Sequence, residues 1–284
     1  MQFKKIGVVG AGTMGADLAL DLASYGYEVI LRDIDAFKLK TASASIVSGY
    51  KGLRMIKKEW KEPSSGNILD QIRFTTGYDG FEEAELVIEN IPENFDLKRE
   101  VYKELQEVCN ASVYYGANTS CISITKIAAI MPDPKKVIGM HFMNPVPLKK
   151  VVETIRGHFT SDETVETIHK FLKTLQKTGI VVNDFPGFVT NRLSHLFMNE
   201  AAFLVQDHVA DPKDIDRLFK LGYGHEMGPL ETADLIGLDT VVDSLKILYE
   251  SYEDSKFRCC PLLKKMVEAG LLGRKSGKGF YNYN

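Results

Sequence analysis

A histidine and a glutamate on consecutive apolar runs are the residues of this 284-residue chain best suited to move a proton. His141 closes the run Val137-Ile138-Gly139-Met140. Glu153 stands in the return run Val151-Val152-Glu153, after the turn Phe142-Met143-Asn144-Pro145-Val146-Pro147. Side chains on two consecutive strands can meet at one end of a sheet. A neutral imidazole accepts a hydroxyl proton near physiological pH, and a paired carboxylate fixes its tautomer and stabilises the imidazolium. Oxidation of an alcohol by hydride transfer needs such a base; the alternative is a structural histidine at a strand end. Ser120, in Ala117-Asn118-Thr119-Ser120-Cys121, follows another apolar run at the same rim. Its hydroxyl could donate to a substrate oxygen, or cap a helix over residues 122–131. Asn191 falls one turn into a helix after Pro186-Gly187, where an amide could reach a cleft between domains; an ordinary exposed asparagine is the other reading.

The acceptor for a hydride is implied by the start of the chain. Ile6-Gly7-Val8-Val9 runs into Gly10-Ala11-Gly12-Thr13-Met14-Gly15, and a helix of small and aliphatic residues follows and stops at Gly26. A second strand over 27–31 then delivers Asp33. In such a unit Gly10 permits the tight turn, Gly12 lets the backbone approach a pyrophosphate, and Gly15 lets helix and strand pack. The first helical N–H groups, at Thr13 and Met14, face the anion. A carboxylate at Asp33 would accept a hydrogen bond from the adenosine ribose. It repels a 2′-phosphate, which favours NAD, although Arg32 beside it could soften that repulsion and leaves NADP open.

These residues need a sheet to hold them. Apolar runs at 72–75, 86–89, 113–115, 137–141 and 151–155 read as strands, with helical periodicity over 96–108 and 162–177. The latter helix should open on a capping box, Thr160-x-x-Glu163, and end at Gly179. Strands separated by helices imply a mostly parallel, doubly wound α/β sheet. The texture changes at Asn183-Asp184-Phe185-Pro186-Gly187, beyond which only helical patterns occur: 188–208, 212–221, 230–252 and 261–269. The expected organisation is an α/β domain over 1–184 followed by an all-α domain over 185–284. A helix near 45–61 would carry Lys51, Arg54, Lys58 and Lys61 on one face, with Leu53, Ile56 and Trp60 on another. That basic face is either solvated or a landing surface for phosphates or an acidic partner protein.

Composition removes several classes. The net charge of −3 argues against a nucleic-acid or anionic-membrane binder, and no apolar run has the length of a membrane span. Met1-Gln2-Phe3-Lys4-Lys5 leads towards the first strand rather than a secretory segment. Cys109, Cys121, Cys259 and Cys260 form no CxxC pair and no zinc spacing. A reduced cytoplasmic protein without a metal is the expectation.

Together the motifs resemble the 3-hydroxyacyl-CoA dehydrogenases, especially short bacterial 3-hydroxybutyryl-CoA dehydrogenases. The resemblance covers nearly the whole chain. It is carried by Gly10–Gly15, Asn118-Thr119-Ser120, Gly139-Met140-His141-Phe142-Met143-Asn144-Pro145, Pro186-Gly187-Phe188-Val189-Thr190-Asn191-Arg192, Met227-Gly228-Pro229-Leu230-Glu231 and the ending from Gly273 to Tyr281. Alone, that glycine-lysine ending might suggest a phosphate loop, but no strand precedes it and the residue order is wrong. The resemblance implies a Rossmann-type domain, then a helical domain through which two subunits pair as a homodimer. It implies that His141 is the general base and Glu153 its orienting partner, that Ser120 and Asn191 bind the substrate around its oxygen atoms, and that Asn144 supports the pocket. Glu93 and Lys98 would hold the cofactor with the glycine loop and Asp33. The chain departs from the family pattern at Asp17, taken to open the first helix, at Asn90-Ile91-Pro92, at Leu148-Lys149-Lys150, at His225-Glu226-Met227, and in the segment from Lys57 to Gly66. These departures lie near cofactor or acyl-carrier contacts. The substrate is therefore either an acyl-CoA or the same acyl group on an acyl carrier protein, for example a glyceryl thioester on the way to hydroxymalonyl. A third reading is a non-catalytic, crystallin-like dinucleotide-binding protein.

Overall fold

The computed structural model describes residues 3–63 and 66–283; Met1, Gln2, Ser64, Ser65 and Asn284 lie outside the described residues. The chain divides into two compact units, Met1–Asp184 and Phe185–Asn284.

The first unit is built on eight strands: β1 (Lys5–Val9), β2 (Glu28–Arg32), β3 (Ile72–Thr75), β4 (Leu86–Glu89), β5 (Tyr114–Ala117), β6 (Val137–Phe142), β7 (Val151–Arg156) and β8 (Thr178–Asn183). They lie in the order β3-β2-β1-β4-β5-β6-β7-β8. Its helices are α1 (Thr13–Ser24), α2 (Ala36–Leu53), α3 (Phe95–Val108), α4 (Ile124–Ala128) and α5 (Asp162–Thr174). β4 and β6 are buried at every residue, as strands covered on both faces must be. Strand order reverses between β1 and β4, which opens a crevice at their carboxyl ends. Every pairing is parallel except β6 with β7. Residues 143–150 are too few for a helical crossover, so the chain returns as a hairpin. That hairpin sets His141 directly opposite Glu153.

Several local expectations are corrected. The helix placed over 45–61 is the second half of α2, which starts after the Asp35 cap and stops at Leu53. The chain then doubles back, so that Trp60 stacks on Tyr50 (centroids 5.9 Å apart, 6° between planes) and the Lys61 N–H reaches the Ser24 carbonyl at 2.8 Å. Lys58 and Lys61 are therefore not on a helix with Lys51, and Ile56 is exposed. The segment 57–66 includes Ser64 and Ser65, outside the described residues. The cap of α5 is Ser161, which accepts from the Thr164 N–H at 3.1 Å; the Thr160 hydroxyl is spent on the Val137 carbonyl at 2.6 Å. α5 ends at Thr174 and the chain turns at Gln176 (φ 54°), leaving Gly179 inside β8.

The second unit holds α6 (Thr190–Gln206), α7 (Pro212–Tyr223), α8 (Pro229–Ile236), α9 (Leu238–Tyr252) and α10 (Pro261–Glu268). The single helix expected over 230–252 is two, broken at Gly237 (φ 104°). Met198, Ala202, Leu238, Val241, Leu245 and Leu263 form the core of this unit. Its glycine-rich ending is a latch. The Asp234 carboxylate accepts from the Phe280 and Tyr281 N–H groups and the Tyr283 hydroxyl, each at 3.0 Å. A Cβ on Gly279 would stand 2.1 Å from Asp234 Oδ1, so only glycine lets the tail lie there. Among the described residues no helix is long and apolar enough to cross a membrane.

Candidate active site

The hairpin places the His141 Nδ1 2.8 Å from Glu153 Oε2, with both residues buried (7% and 3% exposed). An ionised carboxylate can only accept, so Nδ1 carries the hydrogen and donates it. In the neutral ring Nε2 is then an acceptor, and the Ser120 hydroxyl lies 3.2 Å from it. The three side chains thus form a line from a buried anion to a half-buried hydroxyl. Ser120 is not a helix cap: α4 begins at Ile124 and is capped by Ser123.

The loop carrying Ser120 has its own anchor. Glu93 Oε1 accepts from the backbone N–H groups of Ser120 (2.9 Å), Cys121 (2.8 Å) and Ile122 (3.3 Å), and from the Thr119 hydroxyl. Beneath it Lys98 is fully buried. Its Nζ bonds both oxygens of Glu89 (2.6 and 2.8 Å) and stands 3.9 Å from Glu93 Oε2.

The glycine loop is shaped for a dinucleotide. Gly10 has φ 95°, and a Cβ there would be 2.7 Å from the Asn90 carbonyl. A Cβ on Gly15 would fall 1.8 Å from the Gly10 carbonyl, closing the turn to any side chain. Gly12 is extended, with nothing within 4 Å of an added Cβ, so a ligand can approach its backbone. No side chain caps α1, which leaves its first N–H groups to an anion. Asp33 is held from behind, its Oδ2 accepting from the Ala11 N–H at 2.9 Å and its Oδ1 from the Asp35 N–H at 3.1 Å. Arg32 is buried, its guanidinium 4.4 Å from the Tyr78 ring centroid and 3.8 Å from Glu104.

A family model described as the 3-hydroxyacyl-CoA dehydrogenase NAD binding domain matches residues 5–185, and the C-terminal domain model of the same family matches 187–283. The chain belongs to the 3-hydroxyacyl-CoA dehydrogenase family. It is thus a member of an oxidoreductase family. A probable 3-hydroxybutyryl-CoA dehydrogenase of Bacillus subtilis is 43% identical over 285 residues, covering 100% of this chain and 98% of that protein. A 3-hydroxybutyryl-CoA dehydrogenase of Bradyrhizobium diazoefficiens is 43% identical over 280 residues, covering 99% and 95%. The crystal structure of an (S)-3-hydroxybutyryl-CoA dehydrogenase from Ralstonia eutropha superposes with a TM-score of 0.92 at 40% identity, covering 100% of both chains.

Not every residue singled out in this family member stands at the dyad. Lys98 is fully buried and lies beneath Glu93. Asn144 is exposed in the hairpin turn, and Asn191 is the second residue of α6 in the helical unit. Lys51, Arg54 and Lys58 are exposed, but they share no helical face, and Arg54 is paired with Glu62 at 2.5 Å. Asp17 is in the second turn of α1, not its first, and burial raises its pKa.

Three residues to which sequence reasoning gave no role frame the rim. Asn118 donates to Asn90 Oδ1 (2.7 Å) and accepts from the Phe142 N–H (3.1 Å), tying β4, β5 and β6 together beside His141. Asn90, a departure from the family pattern, thereby has a structural partner. Lys177 holds the hairpin turn through the carbonyls of Val146 (2.7 Å) and Lys149 (2.9 Å) and pairs with buried Asp21 at 2.9 Å. No short-range spacing signals any of these contacts.

Proposed function

We propose that this chain interconverts a short-chain 3-hydroxyacyl-CoA and the corresponding 3-ketoacyl-CoA, using NAD, with His141 as the acid and base. The observation that carries the reading is the buried Glu153–His141 pair whose remaining ring nitrogen meets Ser120. In oxidation, His141 Nε2 takes the proton of the substrate 3-hydroxyl while Ser120 hydrogen-bonds the same oxygen. Glu153 stabilises the imidazolium that forms and keeps Nδ1 protonated. Bound NAD supplies the acceptor for the hydride leaving C3. In reduction His141 returns the proton to the 3-keto oxygen. Asn191 and Asn144 would complete the substrate contacts.

Gly10, Gly12, Thr13, Met14 and Gly15 would cradle the pyrophosphate, and Asp33 would take the adenosine ribose. The buried stack of Arg32 on Tyr78 supports NAD over NADP, because that guanidinium is committed to a ring and to Glu104. A cytoplasmic homodimer fits the chain. Its four cysteines are free thiols, and the helical unit exposes Leu193, Leu218, Leu221 and Tyr223 (64%, 67%, 78% and 76%) on α6 and α7. The broken basic face removes a landing surface offered equally to CoA phosphates and to a carrier protein, while the departures at Asn90-Ile91-Pro92 keep the carrier-protein alternative open.

The test is NADH oxidation with acetoacetyl-CoA beside acetoacetyl on a carrier-protein phosphopantetheine arm. Turnover of the CoA ester is expected. Turnover confined to the carrier-bound substrate would overturn the CoA assignment, and silence with both would overturn the substrate class.

A further inference from the structure

β5 ends at Ala117 and α4 begins at Ile124, so the stretch that presents Ser120 lies outside both strand and helix. Donors on four consecutive residues, 119 to 122, instead converge on one oxygen, Glu93 Oε1. Successive N–H groups aimed at one point make a concavity suited to an anion, and here the chain fills it with its own carboxylate. Fully buried Lys98, between Glu89 and Glu93, supports that charge from beneath. The other Glu93 oxygen lies outside this nest, with the side chain 29% exposed.

We propose that Glu93 is a positioning residue for proton transfer: by filling the nest at 119–122 it sets the Ser120 hydroxyl on His141 Nε2. This is distinct from the cofactor contact that the family resemblance implies for Glu93, and it rests on the reading of His141 and Ser120 given above. The Ser120–His141 distance is already 3.2 Å, so a small shift of the loop takes the hydroxyl out of hydrogen-bond range.

The discriminating pair is Glu93→Gln, which keeps an acceptor oxygen in the nest and loses the charge, and Glu93→Asp, which keeps the charge and withdraws the oxygen by one methylene. Both are compared with wild type for kcat and KM in acetoacetyl-CoA reduction, for NADH affinity by fluorescence, and for thermal melting. Glu93→Asp is expected to lower kcat by about 10- to 100-fold, since misplacement of roughly 1 Å can cost that much. Its NADH affinity should change by less than about threefold, and Glu93→Gln should keep kcat within about fivefold of wild type. Adding Glu93→Asp to Ser120→Ala should cost less than about threefold more, because both act through one hydroxyl. The proposal is overturned if Asp functions and Gln does not, if the loss lies in NADH affinity with kcat intact, or if the two losses multiply. Wild-type kcat in Ser120→Ala alone would instead overturn the underlying role of Ser120.

Discussion

Glu153 in the first unit and Asp234 in the second are both buried carboxylates, and they are used in opposite ways. Glu153 Oε2 meets a ring nitrogen of His141, whose other nitrogen faces a half-buried serine hydroxyl. Asp234 divides its oxygens among two backbone N–H groups and a tyrosine hydroxyl, all from the C-terminal tail. Each arrangement meets the requirement that a buried charge be hydrogen-bonded. Only the first passes its charge to an imidazole whose other nitrogen faces a hydroxyl. A buried carboxylate is therefore a candidate for chemistry when its partner is titratable and has a second polar atom facing outwards. At Asp234, whose partners are two backbone N–H groups and a tail hydroxyl, it is scaffold.

The comparison breaks most directly at His141. His141→Ala should lower kcat by about 10²–10⁴, the usual contribution of a general acid or base, with NADH affinity retained. Retention of most activity in a steady-state assay would remove the dyad from the mechanism. Glu153→Gln keeps the shape but not the charge and can reverse the ring tautomer. A loss of about 10²–10³ in kcat is expected, readable as a changed pH–rate profile. Asp234→Ala should act on stability alone, by about 2–4 kcal/mol for the loss of three part-buried hydrogen bonds. Denaturant unfolding measures this, and kcat per folded molecule should be unchanged. A mutant of normal stability and poor kcat would place Asp234 with Glu153 and dissolve the distinction.

What could be read from the sequence follows the range of each interaction. The turn at Gly10, Gly12 and Gly15 was legible because its constraints are local: a positive φ, an open approach and a Cβ clash within six residues. The opposition of His141 and Glu153 was legible because a short hairpin between two apolar runs fixes the register. Glu93 joins the loop at 119–122 across more than twenty residues, and Lys177 meets Asp21 across a still longer stretch, so neither contact has a period. The basic stripe failed for a related reason. Ile56 and Trp60 have the spacing of a helix face, but Trp60 gains more by stacking on Tyr50, and that requires the chain to reverse. The capping box slipped by one residue because Thr160 and Ser161 offer the same hydroxyl, and the Val137 carbonyl claims the first of them.

Asp17 falls between the two kinds of carboxylate and gives the finest test. It is half-buried on α1, near the backbone of Val146 in the turn that follows His141. Burial raises its pKa above the ordinary 3.8, and the Val146 backbone offsets this only in part. In the range between the unfolded and the folded pKa the native chain holds more of this proton than the unfolded one does. Stability from this group is therefore greatest below pH 3.8 and falls as pH rises through the folded pKa. Asp17→Asn keeps the side-chain shape and cannot ionise. Relative to wild type, its melting temperature should improve slightly as pH rises from about 4 to 7, with kcat unchanged within about twofold. A flat difference in melting temperature would deny the burial cost. A kcat that falls more than tenfold would show that the turn beyond His141 is tuned by the charge itself, and would move Asp17 to the side of Glu153.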